Sequence, residues 1–176
     1  MTASIRLPDA GELERLRDIE RAAGALFAEI GMTDVAEDEP FSIDELSAYL
    51  HDGRVWVAIE DDTPVGYALV DVIDGHAHLE QLSVDPRHSR RGHGAALLTR
   101  VCRWAADNGY NAITLTTFEH VEWNAPYYAR HGFEPMASDQ IGPELRELRD
   151  QETSHGLDPE LRIAMRKDVT SGQNAP

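Results

Sequence analysis

Apolar residues at Leu13, Leu16 and Ile19, with charged side chains between them, have the spacing of an amphipathic helix, which Asp9 can cap. Gly24 and Gly31 divide the stretch that follows into a helix and a short turn. Residues 42–53, SIDELSAYLHDG, predict a second helix, with Ser42 and Glu45 as a capping box and Gly53 as its stop. The period then changes from helical to alternating. RVWVAIE (54–60), VGYALVDVI (65–73) and HAHLEQLSV (76–84) predict three strands joined by DDTP and by Asp74-Gly75. An Asp-Gly pair between apolar runs is a strong hairpin signal, because both central residues of that turn take positive φ. Helical spacing returns at 92–109, where Leu97, Leu98, Val101, Cys102 and Ala105 form one stripe and Gly109 ends it.

The remaining pattern predicts a strand at 111–118, a short helix in WNAPYYARHGF (123–133) capped by Asn124, and a strand in FEPMAS. A polar helix at 142–156 and a final strand at 161–168 complete it. Residues 169–176 read as a disordered tail. With SIRLP (4–8) as the first strand, the order is β-α-α-α-β-β-β-α-β-α-β-α-β. That is a mixed α/β fold with an antiparallel meander and one βαβ crossover.

A length of 176 residues suits one domain, expected over 1–168. The net charge of −16 argues against nonspecific binding to nucleic acid or an anionic membrane, and fits either a cationic small substrate or plain solubility. No apolar run reaches membrane-spanning length, and no secretory leader is legible at the start, so a cytoplasmic protein is expected. One cysteine, Cys102, leaves no disulfide framework and no cysteine-rich metal site, and no metal is expected.

Against this acidity, residues 83–101, SVDPRHSRRGHGAALLTRV, concentrate four arginines, two histidines and two glycines. A strand ends at Val84, a basic loop follows, and a helix opens at Gly92. First-turn amides lack internal partners and so bind anions. Gly92 and Gly94 keep that approach free of side chains, while Arg87, Arg90 and Arg91 add forked donors suited to phosphate oxygens. A P-loop is excluded because no G-K-[ST] follows, and a dinucleotide fingerprint because its third glycine position is Leu97.

LSVDPRHSRRGHGAALL (82–98) resembles the cofactor motif of the GNAT acetyl-CoA-dependent N-acetyltransferases, and NAPYYARHGF (124–133) resembles that family's Tyr-x-x-x-Gly-Phe ending. The motif's usual Gln or Arg position is Ser89, and an asparagine stands only four residues before Tyr128. The resemblance implies a mixed, mostly antiparallel seven-stranded sheet splayed between strands four and five and flanked by helices. It implies acetyl-CoA as cosubstrate, with the backbone of Leu82, Ser83 and Val84 along the pantetheine arm and the amides of Arg90, Arg91, Gly92, His93, Gly94 and Ala95 around the pyrophosphate. Asn124 and Tyr128 would face the cofactor, with Tyr128 as general acid toward the leaving sulfur.

Period-two geometry places His76, His78, Glu80, Leu82 and Val84 on one face, with successive side chains about 7 Å apart. A base for the amine is then Glu80, with His78 as a relay, or His78 itself. In the arylalkylamine branch of the family, histidines hold the places of His78 and Glu80, whereas other branches place a glutamate where His78 stands. Weaker acceptor-side candidates are Phe27, Glu29 and Phe41, aromatics among carboxylates. The expected reaction is acetyl transfer to a primary amine by direct attack in a ternary complex, with a small amine favoured by the acidic surface. A protein N-terminus or lysine is the other acceptor class, and a regulatory acyl-CoA-binding domain without chemistry is the alternative to an enzyme. A homodimer is compatible with the sequence and is not specified by it.

Overall fold

In a computed structural model, which describes residues 3–170, the elements follow the expected order. The strands are β1 (Ser4–Arg6), β2 (Val55–Glu60), β3 (Thr63–Ile73), β4 (His76–Val84), β5 (Ala112–Phe118), β6 (Glu134–Pro135) and β7 (Arg162–Asp168). The helices are α1 (Leu13–Gly24), α2 (Thr33–Ala36), α3 (Ile43–His51), α4 (His93–Asp107), α5 (Ala125–Arg130) and α6 (Pro143–Ser154), with short 3-10 turns between them. The strands form one mixed sheet in the order β1-β2-β3-β4-β5-β7-β6. Among the described residues the parallel β4–β5 ladder consists of Ala77↔Ile113 and His78↔Thr114, whereas β5 pairs antiparallel with β7 along its whole length. No helix of the described residues is long and apolar enough to cross a membrane.

The chain packs as two compact units. One comprises the residues up to Val70 together with Gln81–Val101, and the other comprises Asp71–Glu80 and the residues from Cys102 onward. In the first unit, Leu13, Leu16 and Ile19 of α1 and Leu46 of α3 close over Val55, Val57, Tyr67 and Leu69 of β2 and β3. The helix stripe seen in the sequence is therefore the inner face of this core. Ser42 accepts from the Glu45 N–H, and the Glu45 carboxylate accepts from the Ser42 N–H, closing the expected capping box.

Gly66 of β3 sets the closest approach in this unit. A Cβ there would lie 3.0 Å from the Ser83 carbonyl oxygen, 3.2 Å from Val84 and 3.3 Å from Leu97 of α4. Any other residue would push the end of β4 or the start of α4 away.

The second unit is tied together at the β3–β4 hairpin. Asp74 and Gly75 take the positive φ values, 52° and 74°, that their turn requires. The Asp74 carboxylate accepts from the N–H groups of Glu144 and Leu145, both at 2.9 Å, and the Asp74 N–H donates to the Glu144 carboxylate. The hairpin residue thus caps α6, which has no side-chain cap of its own.

Two local expectations change. Asn124 holds the N-cap position of α5 but makes no side-chain cap bond, because its side-chain oxygen is taken by Thr117 and Phe118 of β5. The strand expected in FEPMAS shortens to Glu134–Pro135. Of the expected tail, Val169 is buried and its N–H donates to the Asn111 carbonyl at 2.8 Å, while 171–176 lie outside the described residues.

Candidate functional site

The basic loop of the first unit is built on Asp85, at the end of β4. Its N–H donates to the Val65 carbonyl at 2.8 Å and its side chain is fully buried. The carboxylate accepts from Arg87, through the backbone N–H at 3.0 Å and the guanidinium at 2.8 and 3.1 Å, and from Arg15 of α1 at 2.9 Å. These donors, Arg87 foremost, hold the Asp85 carboxyl well below the ordinary carboxylate range. Its folded value is depressed, so its stabilisation is complete above about pH 4, the ordinary aspartate value, and is lost as pH falls toward the folded value. Asp85→Asn should cost about 2 kcal/mol in urea unfolding at pH 7, less than a fully buried pair because both arginines reach solvent. A midpoint equal to wild type would remove Asp85 from the support of the loop.

Beyond this anchor, Arg90 takes φ +60° and Gly92 takes φ +86°. Two left-handed residues within three positions stand at the head of a fifteen-residue helix, a backbone pattern of the kind that forms anion-binding concavities. In α4 the Ala96 N–H bonds back to the Gly92 carbonyl at 3.0 Å, so the N–H groups of His93, Gly94 and Ala95 precede the helical ladder. Open space surrounds the α-carbon of Gly92, where an added Cβ would meet no atom within 4 Å. Amides ahead of the helical ladder, with no side chain in the way, make a cradle that could receive an anion.

The side chains of the loop differ from the sequence expectation of three free arginines. Arg87 is committed to Asp85, Arg91 pairs with Glu60 of β2, and the Ser89 hydroxyl donates to the Pro86 carbonyl within its own turn. Among the described residues Arg90 has no acidic partner. The same Glu60 carboxylate receives His93 Nε2 at 2.7 Å and lies 3.2 Å from His88 Nδ1. On β4 itself, Ser83 is buried and its hydroxyl accepts from Gln81 at 2.8 Å, while Leu82 and Val84 are half-buried.

In the second unit, β4 carries His78 and Glu80. His78 is 1% exposed; its Nδ1 lies 2.8 Å from the Thr114 hydroxyl and its Nε2 lies 3.7 Å from Glu80. Burial pushes the imidazole down to about 4, so His78 is neutral at physiological pH. Burial, with Asp71 and Glu152 as neighbouring negative charges and Arg162 opposing them, raises Glu80 to about 7. The result is a carboxylate that takes and gives a proton near neutrality, beside a neutral imidazole that can carry it.

Thr116 donates to Glu152 at 2.6 Å and accepts from Arg162 at 3.1 Å, and the Arg162 guanidinium stacks 4.6 Å from the centre of the Phe118 ring.

Tyr128 of α5 packs edge-on against Phe133 and Tyr127, with ring centres 5.7 and 5.5 Å away. Its hydroxyl has no hydrogen-bond partner among the described residues. Burial raises its proton affinity above that of an ordinary phenol, which keeps it protonated. Asn124, one helical turn earlier, spends its side-chain oxygen on β5 and keeps only its amide hydrogens to offer.

The acceptor-side candidates are not gathered into one cluster. Phe41 packs on the first unit's core, 6.1 Å and perpendicular to Tyr49, with its N–H donated to Glu20 and its carbonyl accepting from Arg17. Phe27 and Glu29 lie on the 3-10 turn Ala25–Ile30, half-buried and exposed respectively. Two residues absent from the sequence reading contribute to the geometry. Thr114 is visible only through the β4–β5 register, and Glu60 has no local signal at all. Among the described residues no cluster of histidine, cysteine or carboxylate side chains has metal-binding geometry.

Comparison with known proteins identifies the family. A family model described as "Acetyltransferase (GNAT) family" matches residues 14–133, from α1 to the end of the Tyr-x-x-x-Gly-Phe segment. The chain belongs to that family. Mycothiol acetyltransferase of Nocardiopsis dassonvillei is 41% identical over 56 residues, which are 32% of this chain and 17% of that protein.

Among solved structures, the Paia N-acetyltransferase of Thermoplasma acidophilum in complex with coenzyme A superposes with a TM-score of 0.69 at 18% identity, over 96% of this chain and 99% of that one. The ribosomal-protein-S18-alanine N-acetyltransferase of Escherichia coli gives 0.64 at 17%, over 99% of each chain. N-acetylglutamate synthase of Neisseria gonorrhoeae, complexed with coenzyme A and N-acetyl-glutamate, gives 0.73 at 16%, over 97% of this chain but only 36% of its own length. These likenesses share the fold.

Proposed function

We propose that the protein transfers the acetyl group of acetyl-CoA to a primary amine, with a small amine as acceptor. The observation that carries this reading is the union, on one strand, of a backbone anion cradle reached from one end of β4 and a near-neutral carboxylate at Glu80 two residues before Leu82. The amides of Arg90 to Ala95 would hold the pyrophosphate, with Arg90 supplying the free guanidinium, and the backbone of Leu82 to Val84 would hold the pantetheine arm. Acetyl-CoA would supply an activated thioester carbonyl.

Protein groups would then manage protons. An ammonium has no lone pair, so Glu80 takes its proton, directly or through water, with neutral His78 as a relay beside it. Tyr128, kept protonated by burial, gives its phenolic proton to the departing sulfur. No residue here is needed as a covalent acetyl carrier. A mycothiol acetyltransferase, a ribosomal-protein-S18-alanine N-acetyltransferase and an N-acetylglutamate synthase among the relatives do not select one amine for this chain, and its net charge of −16 supports a cationic one. Both units would serve as a single catalytic domain working in the cytoplasm.

The test is release of coenzyme A thiol from acetyl-CoA against a panel of aryl-alkylamines, polyamines, amino acids, aminoglycosides and N-terminal peptides. Turnover with a small amine supports the reading. Turnover with peptides alone transfers the acceptor to the protein class, and binding without any turnover favours the regulatory alternative. Tyr128→Phe should lower kcat by about 10²-fold with acetyl-CoA affinity nearly unchanged, in the range for a lost general acid. Unaltered turnover would take Tyr128 out of the chemistry.

A further inference from the structure

Glu60 poses an electrostatic problem. It places a carboxylate beside the amides that the proposed function assigns to a diphosphate, where an anion should repel the ligand. Yet that carboxylate is the meeting point of three side chains from the cradle: Arg91 and His88 of the loop, and His93 at the first position of α4. His93 is 6% exposed, and with Nε2 held by Glu60 its Nδ1 is buried without a partner among the described residues. A buried ring nitrogen with no partner, at the head of a helix, is costly unless something else meets it.

We propose that Glu60 is a positioning residue for the cofactor, gathering Arg91, His88 and His93 so that the Arg90–Gly92 turn keeps the shape that binds the diphosphate. This rests on the acetyl-CoA reading and adds to it a residue outside the cofactor motif. The groups facing Glu60 are Arg91 and His88 from the loop and His93 from α4; Asp61 and Asp62 follow it in the β2–β3 turn, and Thr63 opposite it on β3 is uncharged. With Nε2 held on Glu60, the unpartnered Nδ1 of His93 stands in the first turn of α4, whose amides the proposed function assigns to the diphosphate.

The sign of one substitution separates this from simple repulsion. Glu60→Gln removes the negative charge and keeps the shape. If Glu60 only repels phosphate, the variant binds coenzyme A more tightly; if it positions the loop, the variant binds more weakly. Calorimetric titration at neutral pH should use dephospho-coenzyme A, which keeps the diphosphate, with thermal melts to confirm folding.

Glu60→Gln should raise Kd about 10-fold, the scale of one charge-assisted hydrogen bond. Binding of pantetheine, which lacks the diphosphate, should be equal in wild type and Glu60→Gln, and His93→Gln should weaken dephospho-coenzyme A while leaving the melting temperature near wild type. Tighter or equal binding of dephospho-coenzyme A by Glu60→Gln, or an equal loss of pantetheine binding, overturns the proposal alone. If wild type itself does not bind, the acetyl-CoA reading falls, and this one with it.

Discussion

Glu80→Gln should lower kcat with the preferred amine by about 10²- to 10⁴-fold, the span of a lost general base, while acetyl-CoA affinity stays within a few-fold of wild type. The pH profile is the sharper readout. A base must be deprotonated to work, so wild-type kcat/KM should rise with pH through a midpoint near 7, where burial holds Glu80. In the variant that limb should disappear or move to the proton affinity of the amine itself.

Stability should move the other way. A carboxyl whose folded value is raised stabilises the fold fully only below its ordinary value, and that contribution is lost as pH rises from about 4.5 toward 7. Glu80→Gln should therefore resist urea better than wild type at pH 8 and show no such gain at pH 4. An unchanged pH–rate profile would remove Glu80 as the base. Because His78 is held neutral down to about 4, it could not replace Glu80 with a limb near 7.

Gly92→Glu should weaken acetyl-CoA binding by at least about 10²-fold, combining an L-residue at φ +86° with a carboxylate beside the diphosphate. The two causes can be divided. An added Cβ meets no atom within 4 Å, so steric overlap is not one of them. Gly92→Ala carries the backbone strain without the charge and should cost about 1–2 kcal/mol of binding or stability. The difference between the two variants then measures the charge. Near-normal affinity in Gly92→Glu would place the cofactor elsewhere, and the resemblance of 82–98 to the family motif would have to be explained by fold alone.

The order of elements was legible because each rests on a local rule. The Leu13–Leu16–Ile19 stripe, the Ser42–Glu45 box and the Asp74-Gly75 turn are decided by residues within one or two turns of each other, and the structure places them as expected. Asn124 takes the N-cap position that local preference gives it, but its side-chain oxygen goes to Thr117 and Phe118 of another strand rather than to the helix amides. Phe41 illustrates the same limit. An aromatic among carboxylates suits an amine pocket or a core edge equally, and only its perpendicular contact with Tyr49 and its backbone bonds to Glu20 and Arg17 assign it to the edge.

By itself, then, the sequence determined the alternation of strands and helices, the basic, glycine-bearing loop at the head of α4 and the presence of His78 and Glu80 on one face of β4. Glycine positions, caps and period are properties of short segments, and those segments decide them. Tertiary structure decided the electrical state of the site: the union of Arg91, His88 and His93 on Glu60, the double hold of Arg15 and Arg87 on Asp85, and the neutral His78 beside a near-neutral Glu80. Charge and proton affinity depend on burial and on partners distant along the chain, and neither exists until the strands and helices have packed.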